Sequence, residues 1–100
     1  MPCVYMLASG FYGTIYVGVT SNLIGRVMQH RDGTFDGFTK RYAIQRLVWY
    51  EETDTMEAAI ASEKRIKRWR RDWKINVIKE RNPHWEDLAV GWGLPQLGPA

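Results

Sequence analysis

The first apolar runs of the chain, one containing Tyr5 and the other Tyr16, are separated by a turn segment rich in glycine. Two such runs joined by a glycine-containing loop predict a β-hairpin. If Ser9 pairs with Thr14, the register places Tyr5 opposite Gly18. Because side chains alternate across a strand, both tyrosines then project from one face of the hairpin, beside a glycine that leaves room above the sheet.

Helical spacing follows the hairpin. A cluster of residues that favour helix starts, Thr20-Ser21-Asn22, precedes apolar positions that recur every three or four residues, and together they predict a helix over residues 22–31. Residues 32–44 have the composition of a loop. Residues 45–52 predict a third strand, and their near-continuous apolar run is typical of a strand covered on both faces and therefore of a central position.

The second half of the chain is predicted to be helical. Asp54 followed by Glu57 three positions later has the pattern of a capping box, so a long helix is expected over residues 55–69. A shorter helical segment is expected over 73–79, and a final short helix over 83–88. Residues from Gly91 onward lack periodicity and are expected to form a tail, docked by Trp92 or frayed. The order β-β-α-β-α-α predicts an α+β fold with a three-stranded antiparallel sheet flanked by helices.

Charge is distributed unevenly along this chain of one hundred residues, which is the length of one domain. The formal net charge is only +3, but residues 56–81 hold nine Lys and Arg against four acidic residues. A basic stripe interleaved with Trp69 and Trp73 suits a polyanionic partner. The alternative is a solvated helix face with two core tryptophans.

The lone cysteine, Cys3, excludes an internal disulfide and a zinc cage built on cysteines. No stretch approaches the length needed to span a bilayer, and the first residues lack the pattern of a signal peptide. We therefore expect a soluble cytoplasmic protein without a membrane partner, as a monomer or a weak dimer.

Glu63 lies where an apolar residue is expected. It is three positions from both Ile60 and Ile66 on the apolar stripe of the long helix, so its side chain is predicted to point inward. A carboxylate that faces a core is costly unless it is paired or binds a metal. The structural alternatives are a buried ion pair with Arg26 or Arg46, and a position at the stripe edge from which the side chain bends toward water.

Arg26 and His30 share one face of the first helix because they are four residues apart. His30 alone is best interpreted as a charge that complements the helix C-terminus, whereas the two together suggest a phosphate clamp. Hydrolysis of a phosphodiester needs a cation at the phosphate, a carboxylate for a hard divalent metal and a base for water. A phenol can relay that proton if neighbouring cations lower its pKa.

Several motifs together resemble the GIY-YIG nuclease superfamily, in particular its small single-domain bacterial members related to the nuclease domain of the excision-repair excinuclease. The resemblance runs from Pro2 to Leu88 and implies a nuclease domain over residues 1–90 with a tail over 91–100. The motifs that carry it are Val4-Tyr5, Tyr16-Val17-Gly18, Thr20-Ser21-Asn22-Leu23, Arg26, His30, Leu47-Val48-Trp49-Tyr50, Ala61-Ser62-Glu63-Lys64 and Asn82-Pro83.

The resemblance implies a role for each site residue. Glu63 is the sole protein ligand of Mg²⁺ or Mn²⁺, Arg26 holds the scissile phosphate, and His30 lies near the nucleophilic water. Either Tyr16 or Tyr5 serves as the general base or assists it. Further positions follow by alignment: Gly18 keeps the cleft open, and the late asparagine of the family corresponds to Asn76, with Asn82 as the alternative.

The implied function is a divalent-metal-dependent DNA endonuclease of low sequence specificity, in DNA repair or processing, with RNA not excluded as a substrate. Two departures from the family pattern are Cys3-Val4-Tyr5 in place of Gly-Ile-Tyr, and Val19 where the excision-repair relatives carry lysine. The alternatives are a retired nuclease scaffold that only binds nucleic acid, and a structural pair of Glu63 with Arg26. The basic residues expected to guide nucleic acid are Lys64, Lys67, Arg68, Arg70, Arg71 and Lys74.

Overall fold

A computed structural model describes residues 1–33 and 38–93 of the chain. It confirms the α+β fold and the order β-β-α-β-α-α, with one additional short helix and a 3₁₀ helix near the end. The strands are β1 (Cys3–Ala8), β2 (Ile15–Thr20) and β3 (Arg46–Glu52). The helices are α1 (Leu23–Asp32), α2 (Phe38–Arg41), α3 (Met56–Lys67), α4 (Arg71–Arg81) and the 3₁₀ helix (Leu88–Trp92).

The hairpin has the register that its turn predicts. The backbone N–H of Ser9 donates to the carbonyl of Thr14 at 3.0 Å, and β1 and β2 pair antiparallel from there. Tyr5 lies opposite Gly18, and Leu7 lies opposite Tyr16. Because a shift of one residue would turn each side chain to the other face, this register fixes both tyrosines on the same side of the sheet.

The prediction that the third strand is central is wrong, because the strand order is β2-β1-β3 and β1 lies in the middle. The apolar run of β3 has a different cause. A register shift between Met6 and Leu7 on β1 places both Val48 and Trp49 on one face of the sheet, while Leu47 packs on the other. Helices cover both faces, so an edge strand can be as apolar as a central one.

The core consists of two layers that share β1. On one face, Val4 and Met6 pack against Ile66 of α3 and Ile78 of α4. On the other, Tyr5 belongs to a layer with Leu7, Val27 of α1 and Ala89 of the 3₁₀ helix. Alternation along β1 therefore sends Val4 and Met6 toward α3 and α4, and Tyr5 and Leu7 toward α1.

Side-chain caps fix where the helices begin. The Asn22 side chain accepts from the backbone N–H of Gly25 at 3.1 Å, as its position before the first helix predicts. Thr55, rather than Asp54, caps α3, accepting from the N–H of Ala58 at 3.1 Å. In the described part of the chain, no helix has the length and apolar character that crossing a membrane requires.

Several predicted boundaries need correction. The long helix ends at Lys67 rather than at residue 69, and the next one is longer than expected, covering Arg71–Arg81. Within the expected loop 32–44, α2 forms one helical turn, because its four residues contain neither glycine nor proline to prevent it. Residues 34–37 of that loop lie outside the described part of the chain.

The final helix expected over residues 83–88 is absent from the structure. Trp85 has a φ of 54°, which is left-handed and incompatible with a helix, and the Asn82 side chain instead bonds both backbone groups of Glu86. The 3₁₀ helix begins only after Asp87, whose carboxylate accepts from the N–H of Ala89. Its last residue, Trp92, packs edge-on against Tyr50, as the docked alternative for the tail predicts. Residues 94–100 lie outside the part of the chain that the structure describes.

Candidate active site

Tyr5 and His30 meet inside the protein. The phenol oxygen of Tyr5 lies 3.0 Å from Nε2 of His30, and the two residues are only 1% and 5% exposed. Strand β1 supplies the tyrosine, and the last turn of α1 turns the imidazole toward the sheet. The local sequence predicts a charge at the helix end for His30 alone, but burial of the ring against Tyr5 does not fit that interpretation.

Tyr16 completes a cluster of three rings. Its centroid lies 6.3 Å from that of Tyr5 and 5.4 Å from that of His30, with tilted and edge-on geometries that aromatic pairs favour. Tyr16 is half-buried, whereas the other two rings are buried. It is therefore the member of the cluster that solvent or a substrate reaches.

Gly18 makes the Tyr5 position available. A Cβ atom at this residue would lie 2.5 Å from both Cζ and the oxygen of the Tyr5 phenol. No side chain fits in that space without moving the ring. The glycine thus lets the tyrosine lie across β2 and reach His30, which agrees with the prediction that it leaves room above the sheet.

Burial sets the protonation of the pair. Desolvation, and secondarily Tyr16, raise the pKa of the Tyr5 phenol above its ordinary value of 10, against the opposing effect of Arg26. Desolvation and then Arg26 lower the pKa of His30 to about 4. The phenol is therefore protonated and the imidazole neutral at physiological pH. The pKa of Tyr5 is raised overall, whereas a proton-relaying role for this residue requires a lowered one.

Arg26 and Glu63 are close enough to the ring cluster to act on it electrostatically. Both contribute to the pKa of Tyr5, with opposite signs, and Arg26 also acts on His30. Arg26 is half-buried on α1, one turn before the histidine, and Glu63 lies on α3, which packs against β1 and β2. The structure thus joins Tyr5, Tyr16 and His30 in one ring cluster, and it places Arg26 and Glu63 within electrostatic range of Tyr5.

Glu63 has a local partner. Its side chain is 16% exposed, which agrees with the inward direction predicted for it, and it pairs with Lys67 one turn later at 3.1 Å. Arg46, one of the partners considered for it, instead donates to the carbonyl of Trp85 at 3.1 Å. Ile60 is 37% exposed and does not belong to the buried stripe of α3.

The donor set restricts which metal this site can hold. Among residues 1–33 and 38–93, no group of three or more His, Cys, Asp or Glu side chains is arranged to bind an ion. Structural zinc needs such a group, whereas Mg²⁺ is often held by one or two carboxylates with water filling the remaining positions. A lone, mostly buried Glu63 therefore fits a hard divalent cation and does not fit zinc.

The two candidate asparagines differ in what they offer. Asn82 is buried, and its amide donates to the carbonyls of Val48 and Glu86 and accepts from the N–H of Glu86. The Asn82 amide is therefore used to attach the segment after α4 to β3. Asn76 is exposed on α4.

The basic residues expected to guide nucleic acid lie on the surface, except for Lys74, which is half-buried. Three of them also have internal contacts, and Arg70 is the one that lies beside Asp72 and Trp73. Lys67 pairs with Glu63, and Arg71 donates to the carbonyls of Tyr12 and Gly13 in the hairpin turn, at 2.6 and 2.9 Å. The two tryptophans separate into different roles: Trp69 is half-buried against the core, whereas Trp73 is 52% exposed.

One supporting contact has no signature in the sequence. Arg31, next to His30, forms an ion pair with Asp87, and that carboxylate also accepts from the backbone N–H of Leu47. The pair holds the end of α1, and with it His30, against β3. Its two partners lie 56 residues apart, and nothing in the local pattern around either one points to the other.

The sheet presents Tyr5 and Tyr16 on one face, and the flanking helices α1 and α3 supply Arg26, His30 and Glu63. Residues 1–76 match the family model of the GIY-YIG catalytic domain, and the chain belongs to that family. The matched segment includes all five site residues and the whole of the sheet.

The relatives of the chain are small proteins of similar length. It is 33% identical over 82 residues to a UPF0213 protein of Pediococcus pentosaceus, covering 74% of this chain and 86% of the relative. It is also 33% identical over 69 residues to a UPF0213 protein of Staphylococcus aureus, covering 69% and 84% respectively. No solved structure matches the chain significantly.

Proposed function

We propose that the protein is a divalent-metal-dependent endonuclease that hydrolyses phosphodiester bonds in DNA, in DNA repair or processing in the cytoplasm. The observation that carries the proposal is the buried bond between Tyr5 and His30, with Tyr16 at its open side and Arg26 and Glu63 nearby. A structural core has little use for a neutral imidazole, an arginine and a carboxylate around two phenols, since each polar group costs free energy to bury.

Arg26 binds the scissile phosphate in this proposal. Its guanidinium offers a planar fork of donors that matches two phosphate oxygens. Because α1 also carries His30, the phosphate is held one helical turn from the ring cluster.

Tyr16 acts on the attacking water, because it is the phenol that solvent reaches. Tyr5 and His30 are positioning residues. The raised pKa of Tyr5 keeps its phenol protonated and therefore unable to take a proton from water, and its bond to His30 holds the two rings against which Tyr16 packs. General acid–base groups need to lie within hydrogen-bond reach of the proton they transfer, so this positioning has a direct effect on rate.

Glu63 holds Mg²⁺ or Mn²⁺ through a carboxylate oxygen. When bound, such a cation neutralises charge that develops on the phosphate and makes water a stronger nucleophile. The pair of Glu63 with Lys67 is no obstacle, because an ion pair with one exposed partner is worth less than about 1 kcal/mol.

The exposed basic residues after Glu63 attract the phosphate backbone, and they do so without regard to sequence. Contacts to phosphates carry no sequence information, and bases are read only by an element that enters a groove, so we propose low sequence specificity. Val19, at a position where the excision-repair relatives carry lysine, leaves Arg26 as the main cation at the phosphate.

The proposal is tested by a nicking assay on supercoiled plasmid and on branched DNA, with Mg²⁺ or with EDTA, for the wild type and Glu63→Ala. The expected result is nicking that requires both the metal and Glu63. If the two proteins nick equally, or neither does, the enzyme proposal fails. Salt-sensitive DNA binding that survives Glu63→Ala, without nicking by either protein, would instead indicate a retired scaffold that binds nucleic acid.

A further inference from the structure

We propose that Trp73, together with Arg70, stacks an unpaired base of the substrate, so that the protein acts on nucleic acid with a single-stranded segment. This inference rests on the proposed nuclease function and specifies which substrate the site receives. The surface concerned is the junction between α3 and α4, which we call the indole platform and define by Trp69, Arg70 and Trp73.

Trp73 lies in the first turn of α4 with 52% of its surface in water. Its backbone N–H donates to the carbonyl of Arg70 at 3.1 Å and to the carboxylate of Asp72 at 3.0 Å, and these bonds fix the position of its backbone. An indole exposed to this extent contributes little to the core. It does present a flat aromatic surface to any ligand that can stack on it.

Trp69 supports the exposed ring. It packs against the core layer that contains Ile66, and its ring meets that of Trp73 edge-on, with centroids 6.2 Å apart and planes at 65°. The guanidinium carbon of Arg70 lies 6.0 Å from the centroid of Trp73, within the range of a cation–π contact. Trp69 therefore supports the ring of Trp73, and the guanidinium of Arg70 lies beside that ring.

The charge around the platform favours nucleic acid over other aromatic ligands. The side chain of Arg70 is 77% exposed, even though it pairs with Asp72 at 3.7 Å, so its guanidinium is accessible to a phosphate. Lys64 and Arg68, just before the platform, are also exposed. Aromatic side chains in a positively charged groove are the combination by which proteins bind single strands without sequence preference.

Base stacking separates single strands from duplexes. In a duplex the faces of the bases are already covered by their neighbours, so an indole can stack only on an unpaired or terminal base. The platform begins two residues after Lys67, which lies about 6 Å along the α3 axis from Glu63 at the usual helical rise. The strand whose base stacks on Trp73 then runs from the platform along α3 toward Glu63.

The test measures binding of a fluorescein-labelled oligothymidine and of a duplex of equal length, in EDTA so that no cleavage occurs. We expect Trp73→Ala to bind the single strand about tenfold more weakly and the duplex less than about twofold more weakly. Trp73→Phe, which keeps an aromatic face, should retain most of the affinity. Phe11→Ala removes an exposed aromatic outside the basic segment and serves as the matched control, with no expected effect on either ligand.

The inference is overturned if Trp73→Ala binds the single strand as tightly as the wild type, or loses affinity equally for both ligands. It is also overturned if Trp73→Phe is as weak as Trp73→Ala. Circular dichroism of each variant checks that the exposed substitutions leave the fold intact. Binding is measured without metal, so the result is independent of cleavage. The nicking assay can therefore contradict the nuclease proposal without contradicting the indole platform, and the binding assay can do the reverse.

Discussion

The phenol oxygen of Tyr5, on the central strand, lies 3.0 Å from Nε2 of His30 on the first helix, and both residues are buried. The contact joins a protonated phenol to a neutral imidazole, because burial raises the pKa of the first and lowers that of the second. It therefore stabilises the site without a net charge in the core. Protonation of His30 would place a cation there, next to Arg26.

His30 should make the stability of the protein depend on pH. The unfolded chain takes up this proton near pH 6.5, whereas the folded protein does so only near pH 4. The unfolded state binds more protons between these two pH values. The free energy of unfolding should therefore be at its full value above pH 6.5 and should decrease by something on the order of 2 kcal/mol as the pH falls toward 4. Urea titrations between pH 4 and 8 measure it.

The control for this dependence is a comparison of two histidine variants. His30→Gln should flatten the curve between pH 4 and 6.5, and His84→Gln, at an exposed position, should leave it as in the wild type. Parallel curves for the wild type and His30→Gln would contradict the assignment, even if the variant is less stable at every pH.

Gly18 should not tolerate a methyl group. Gly18→Ala places a Cβ 2.5 Å from the Tyr5 phenol, so the ring has to move away from His30. We expect a loss of about 1–3 kcal/mol in the free energy of unfolding, as for other overpacked sites. Gly10→Ala, where a Cβ meets nothing within 4 Å, is the matched control and should be neutral within about 0.5 kcal/mol. Equal stability of the two variants would show that Tyr5 is not confined by β2.

The sequence predicted the parts of the site that depend on local register. The turn at Ser9 and Thr14 determined which face Tyr5 and Tyr16 share, and helical spacing around Ile66 determined that Glu63 points inward. Both follow from periods of two and 3.6 residues, which are visible along the chain.

Long-range contacts were not predictable in this way. Strand order depends on which strand pairs with β1 on its second edge, and the register shift at Met6 made an edge strand resemble a central one. The ion pair of Arg31 with Asp87 and the side-chain bonds of Asn82 also join segments distant in sequence or oppose local propensity. Such contacts are decided by the assembled fold rather than by spacing.

The two asparagines should separate stability from activity. Asn82→Ala leaves the carbonyl of Val48 and both backbone groups of Glu86 without this partner, so we expect a loss of about 2–4 kcal/mol in the free energy of unfolding. Asn76→Ala, at an exposed position on α4, should unfold like the wild type. A cleavage defect in Asn76→Ala at unchanged stability would support the assignment of Asn76 to the site. Cleavage by Asn76→Ala at the wild-type rate would contradict that assignment.

Lys67 should compete with a metal for Glu63. Removing the ammonium group in Lys67→Met frees the carboxylate, and we expect Mn²⁺ to bind about two- to fivefold more tightly, the equivalent of one partly exposed ion pair. Titration of Mn²⁺ followed by electron paramagnetic resonance, without nucleic acid, measures this affinity. Arg65→Met removes one positive charge from the same helix without touching Glu63 and should have a smaller effect. Weaker Mn²⁺ binding by Lys67→Met than by the wild type would contradict the competition.

The most direct measurement is anomalous diffraction from crystals soaked in Mn²⁺, for the wild type and for Glu63→Gln. The proposal predicts one peak about 2 Å from a Glu63 carboxylate oxygen, on the side of the ring cluster formed by Tyr5, Tyr16 and His30, and its loss in the variant. A peak elsewhere in the protein, or one that persists in Glu63→Gln, would contradict the claim that this glutamate holds the metal.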